Sequence, residues 1–81
     1  MKTVRLSIDQ RRSMILSKAV EMANNEGLLK VSLLNVSMRY GFAFSTVRYC
    51  FNRNADLWRA IVSHPSAYQT VREEGRSINA R

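Results

Sequence analysis

The stretch Leu33–Asn52, LLNVSMRYGFAFSTVRYCFN, decides how the chain is read. Gly41 stands between two short runs of helical periodicity. A sharp turn between helices is made most cheaply by glycine, whose backbone enters the φ > 0 region without a Cβ clash. Ser37, four residues earlier, is small enough to admit a second helix at close range. Val36 and Tyr40 share one face of the first helix, while Phe42, Val47 and Cys50 carry the apolar side across the turn and along the second. That leaves Phe44, Ser45, Thr46, Arg48 and Tyr49 facing outward, residue types that meet phosphates and base edges. These offsets fit a helix-turn-helix mask, a device that lays its second helix in the major groove of DNA. An ordinary helical hairpin turning at a glycine fits them too.

Composition points the same way. The chain has 81 residues, one domain near the lower limit for an independent core. Its 13 Lys and Arg against 6 Asp and Glu give a net charge of +7, a balance that suits a polyanionic partner. Many small proteins are basic without such a partner. No apolar run approaches the roughly 18 residues of a membrane span, and no signal pattern opens the chain, so nucleic acid is favoured over membrane. A single cysteine, Cys50, excludes an internal disulfide, and with His64 as the one histidine no zinc-ligand spacing exists. Cys50 reads as core filler and His64, before Pro65, as a helix-end cation. The expected setting is the bacterial cytosol or nucleoid.

Around the central stretch, residues 1–6 read as a flexible tail carrying Lys2 and Arg5. Ser7 and Gln10 have capping-box spacing, and Asp9 lies in the first turn of a helix predicted over 8–26 and closed by Gly27. Leu28 to Val31 form a linker whose Leu28 and Val31 plug the core, and Ser32 caps a helix over 33–40. The candidate recognition helix spans 43–51. Asn54 then caps a fourth helix, 55–63, with Leu57, Trp58, Ile61 and Val62 on one side. Ser66 and Gln69 repeat the capping-box spacing, which predicts a short helix over 67–74 ended by Gly75, with a loose tail over 76–81. The predicted architecture is all-α: a compact bundle of about four helices over 7–63, then a short extension, 64–81. Its core is Ile15, Ala19, Met22, Val36, Tyr40, Val47, Phe51, Leu57, Trp58 and Ile61.

From about Arg12 to Val62 the chain resembles the DNA-binding domain of tetracycline-repressor (TetR-type) transcription regulators. The first-helix intervals are carried by Ile15, Leu16, Ala19, Met22 and Gly27. Those of the second are carried by Ser32, Val36, Ser37, Tyr40 and Gly41. Gly41, Phe42, Thr46, Val47, Phe51 and Leu57 follow the recognition-helix pattern without insertion or deletion. Three positions depart from it. Ala43 replaces the usual Ser or Thr cap, at a cost of about 1 kcal/mol. Arg48 stands for the family's phosphate-binding Tyr, with Tyr49 beside it, and Asn54 stands for a Lys, with Arg53 beside it. Family members add a long helical domain that binds an effector and forms the dimer. Only 19 residues follow Val62 here, so neither a small-molecule effector nor the usual dimer interface is expected.

The resemblance and the outward residues together imply a sequence-specific double-stranded DNA-binding transcription regulator, a repressor in its expected polarity. Its compact size suits a phage or mobile element. The contact set is Lys30, Ser32, Asn35, Phe44, Ser45, Thr46, Arg48, Tyr49, Arg53 and Asn54. Within it Arg48 is read as a guanine or phosphate ligand, against a merely solvated arginine. Ser45 and Thr46 are phosphate contacts or plain caps, and Tyr49 is a phosphate donor or a surface aromatic. Phe44 meets a thymine methyl, packs on a second copy, or folds back over Leu33. Two copies on one operator are expected, as weak or DNA-dependent homodimers, with Tyr68 and Val71 offering a short apolar face. No nucleophile–base pair, phosphate loop or carboxylate cluster is visible, so no enzyme, cofactor or metal is expected. A small protein-interaction module, an inhibitor or adaptor using the same surface, is the alternative from another class, and a non-specific DNA coater is a third.

Overall fold

The computed structural model describes residues 7–79. They form α1 (Ile8–Glu26), a 3₁₀ turn (Leu28–Lys30), α2 (Leu33–Tyr40), α3 (Phe44–Phe51), α4 (Asn54–Val62) and α5 (Gln69–Asn79), with no strand among the described residues. This is an all-α bundle, as the periodicity predicts. The tail expected at 1–6, with Lys2 and Arg5, lies outside the described residues, as do residues 80 and 81.

The local signals explain where the first three elements start and stop. The Ser7 hydroxyl accepts from the Gln10 amide at 3.1 Å, and the Gln10 side chain accepts from the Ser7 amide at 2.9 Å. Two amides that a helix start would leave open are thereby satisfied. Gly27, at φ 97°, closes α1. Leu28 and Val31 are fully buried beneath it. Ser32 caps α2 by accepting from the Asn35 amide at 3.0 Å. Gly41 turns the chain out of α2 at φ 74°, ψ 24°, the left-handed geometry that favours glycine.

The core lies along α1, against which every other helix packs. Ile15, Ala19, Met22, Val36, Val47, Phe51, Leu57 and Ile61 are all buried, as expected. Tyr40 and Trp58 are only half-buried at its edge, because each carries a polar tip. The Trp58 indole N–H donates to the Val31 carbonyl at 2.7 Å. Tyr40 lies under the Lys18 ammonium, 5.6 Å from its ring centre, and burial, helped by the Glu21 carboxylate, pushes its phenol above the ordinary range. Arg39 forks onto Glu26, tying α2 to the end of α1. Its hydrogen bonds hold the Glu26 carboxyl below the usual range.

The C-terminal part differs from expectation. The last helix is Gln69–Asn79 rather than 67–74, and Gly75 lies in its interior. The expected box at Ser66 and Gln69 does not form, because the Ser66 amide donates to His64 Nδ1 at 3.1 Å. Asn24 of α1 orders the turn instead: it accepts from the Tyr68 amide at 2.9 Å and donates to the Ser66 carbonyl at 3.0 Å. The Arg72 guanidinium donates to the carbonyls of His64, at 2.9 Å, and Ala67, at 3.2 Å. Residues 76–79, read as loose, are the last turn of α5. Val71 is 1% exposed, so the apolar face proposed for it with Tyr68 does not exist.

Gly75 serves helix approach, not termination. A Cβ there would stand 2.3 Å from Val62 Cγ1 and 3.3 Å from Val62 Cβ. Helix propensity alone would make Gly75→Ala stabilising by about 1 kcal/mol. Overpacking against a stiff β-branched side chain costs about 1–3 kcal/mol and is expected to win. Urea unfolding should show Gly75→Ala less stable than wild type, with Gly75→Ala/Val62→Ala recovering part of the loss. A more stable single variant would show that α5 does not press on Val62.

Candidate functional site

The chemistry-bearing residues converge on α3. Val47 and Phe51 anchor it, at 0% and 2% exposure. With about 3.6 residues per turn, anchoring those two turns the opposite side outward. Ser45, Arg48 and Tyr49 are exposed there, Tyr49 by 73%, whereas Phe44, three residues before Val47 and seven before Phe51, lies on the anchored side at the start of the helix and is 43% exposed. Phe44 is therefore not buried by folding back over Leu33. Thr46 and Cys50 are half-buried along the edge that faces α1, so Thr46 is a flank residue and not a fully outward one.

The helix starts at Phe44, one residue later than predicted, with Ala43 at the cap position and no side-chain cap bond. The Thr46 amide donates to the Ala43 carbonyl at 3.0 Å, which leaves the Phe44 and Ser45 amides available to an acceptor from outside, in the place where helix ends attract anions. At the other end Asn52 takes φ 32°, a positive value that Asn tolerates better than most residues.

The remaining candidates are drawn toward the start of α2. Ser32 is taken up by its capping bond. The Asn35 side chain donates to the Lys30 carbonyl at 2.8 Å, leaving the Lys30 side chain exposed. Asn54 does not cap α4. It is the first residue of that helix, behind Arg53, and its Oδ1 accepts from the Leu33 amide at 2.9 Å. The exit from α3 is thereby fastened to the entry of α2. Arg53 is exposed and lies 3.8 Å from Asp56, which Arg59 approaches at 3.7 Å from the other side. Such exposed pairs are weak and leave both arginines exchangeable. Among the described residues no carboxylate lies within ion-pair distance of Arg48.

Two cations join the site that the sequence did not single out. Arg11 lines a groove with Met14, Phe42, Ala43 and Thr46, at the start of α3. Arg12 lines a second groove with Tyr49, Cys50 and Asn52, at its end, and its guanidinium sits over the Phe51 ring, 4.7 Å from the centre. Their adjacency in an otherwise apolar-periodic helix was the one available signal. What they face depends on how α1 crosses α3.

The chain matches no family model, no curated protein and no solved structure. The site therefore rests on its own geometry. No described helix is long and apolar enough to cross a membrane.

The missing cap gives a direct test of how α3 begins. Ala43 has φ −64°, ψ 130°, which a capping serine adopts without strain. Ala43→Ser is expected to stabilise the fold by about 1 kcal/mol in thermal or urea unfolding. A neutral or destabilising result would mean that the Thr46 amide keeps its bond to the Ala43 carbonyl and the Ser45 amide does not donate to the cap hydroxyl.

Proposed function

We propose that the chain binds double-stranded DNA sequence-specifically, laying α3 in the major groove, and regulates transcription as a repressor by occupying a promoter or operator. One observation carries this reading: Ser45, Arg48 and Tyr49 are exposed on one side of a helix whose other side is locked into the core, and Phe44 is exposed at its start. That is the division of labour a reading helix needs, with the apolar side fixing orientation and the outward side touching phosphates and base edges. The net charge of +7 supplies the attraction for a phosphate backbone.

Within this proposal Arg48 reads a guanine or grips a phosphate, Ser45 and Tyr49 donate to phosphates, and Phe44 meets a thymine methyl. Thr46, Lys30 and Arg53 add contacts at the margins. Ser32, Asn35 and Asn54 support by holding the backbone of α2. The likeness to TetR-type domains rests on residue spacing. Two copies share an operator, as weak or DNA-dependent homodimers. The setting is the cytosol or nucleoid, and binding is the whole activity, with no cofactor, effector or catalysis.

A second reading draws support from Leu34 and Met38, one turn apart on α2 and exposed by 53% and 72%. Such a stripe suits a protein-interaction module. Salt separates the two, since phosphate-driven binding weakens steeply between 50 and 200 mM while an apolar interface barely responds.

Arg48→Ala tests the first reading. Titrated against duplex from the region flanking its own gene, it should bind about 1–3 kcal/mol more weakly, with less discrimination against scrambled duplex if Arg48 reads a base. A uniform loss on both duplexes assigns Arg48 to phosphate. Unchanged affinity for both removes it from the site.

A further inference from the structure

We infer that the duplex contact extends off α3 onto the first turns of α1, where Arg11 and Arg12 each take a backbone phosphate. The inference rests on the DNA-binding reading and deepens it. A helix seated in the major groove, about 12 Å wide, is walled by phosphates on either side. Cations beside the reading helix therefore meet the strand on their own side.

The geometry places these two there. Thr46 and Cys50 mark the α1-facing edge of α3, and both arginines line the grooves along that edge, Arg11 with Thr46 and Arg12 with Cys50 and Tyr49. Both are exposed. Among the described residues no carboxylate lies within ion-pair distance of either. The contrast is Arg59, which shares the groove of Arg12 but stands 3.7 Å from Asp56. Arg12 is held in place by the Phe51 ring, which orients the guanidinium without neutralising it. Arg12 thus has a fixed position and no ion pair, although Asp56 also lines its groove, and Arg11 places a second cation in the other groove, at the start of α3.

The other arginines are differently employed. Arg39 is forked onto Glu26, and Arg72 is spent on backbone carbonyls. Arg76 is exposed on α5, which packs beside Gly27 at the far end of α1. Arg11 and Gly27 are separated by 16 residues of sequence, about 24 Å along a helix axis. Arg76 is therefore a control cation of equal charge, away from the edge of α3.

The test is the salt dependence of binding by the full chain to a random-sequence duplex of about 20 base pairs, because phosphate contacts carry no sequence information. Between 50 and 200 mM salt, Arg11→Gln and Arg12→Gln should each make the log–log slope shallower by about 0.9, one phosphate apiece. Arg76→Gln should leave it unchanged. Arg12→Lys, which keeps the charge and weakens the ring contact, should keep the wild-type slope. Should Arg12→Gln fail to fold by circular dichroism, Arg11→Gln and Arg12→Lys still decide. Wild-type slopes for Arg11→Gln and Arg12→Gln, or an equal change in Arg76→Gln, overturn this inference while leaving DNA binding intact. A wild-type chain that binds no duplex at 50 mM salt overturns the DNA-binding reading along with it.

Discussion

Everything in this fold is fastened to α1. Ala19 and Ala23 are its key positions, 0% and 1% exposed. A side chain no larger than a methyl lets neighbouring helices approach closely, and interiors packed at crystal-like density leave no slack for anything bigger. Its 19 residues span about 28 Å, long enough to hold different partners at its two ends. The N-terminal half carries α3, through Ile15 and the arginine pair. The C-terminal end carries the α5 turn, through Asn24. A chain of this size buries a smaller fraction of its surface than a larger domain, so one long helix shared by all the others is an economical way to build a core.

The core alone leaves many backbone groups to satisfy, because five helices in so small a domain have ten ends. Side-chain bonds between elements meet that need. Asn54 holds the start of α2, Trp58 the carbonyl of Val31, Glu74 the amide of Leu28, and Arg72 the carbonyls after α4. No buried side-chain polar atom among the described residues lacks a partner. The bonds of Asn54, Trp58 and Glu74 also fix one element against another that is distant in sequence. Removing any of them would leave a backbone group unpaired in a half-buried place, which costs more than the bond itself contributes.

These bonds mark the boundary of what could be read from the sequence. Local devices were legible: the box at Ser7 and Gln10, the cap at Ser32, and the left-handed turn at Gly41 all depend on residues within a few positions of one another. The misreadings share a different cause. Gly75 looks like a helix stop, yet it answers to Val62, thirteen residues away. Asn54 looks like a cap for the helix it begins, yet it bonds an amide twenty-one residues back. Glycine and asparagine each have a local use and a tertiary use, and spacing registers only the local one. The candidate site divides along the same line. The outward face of α3 follows from periodicity, whereas Arg11 and Arg12 come from another helix and enter only through the crossing of α1 with α3.

On the proposed reading, this arrangement separates stability from specificity within eight residues. Val47 and Phe51 hold α3 in the core, and their replacement would cost several kcal/mol through the cavity left behind. Ser45, Arg48 and Tyr49 are exposed on the far side of α3, and Phe44 is 43% exposed at its start. Substitutions at such exposed helix positions usually change stability by less than about 0.5 kcal/mol. The preferred sequence could therefore be rewritten at those four positions without disturbing the fold. The cations on α1 and the exposed Lys30 would continue to supply affinity that does not depend on sequence. The exception is Ala43, where the fold forgoes a capping bond at the position closest to the proposed ligand. A helix start left open is a stability cost that an approaching phosphate would offset, because the same amides that lack an internal acceptor are the ones a phosphate would engage.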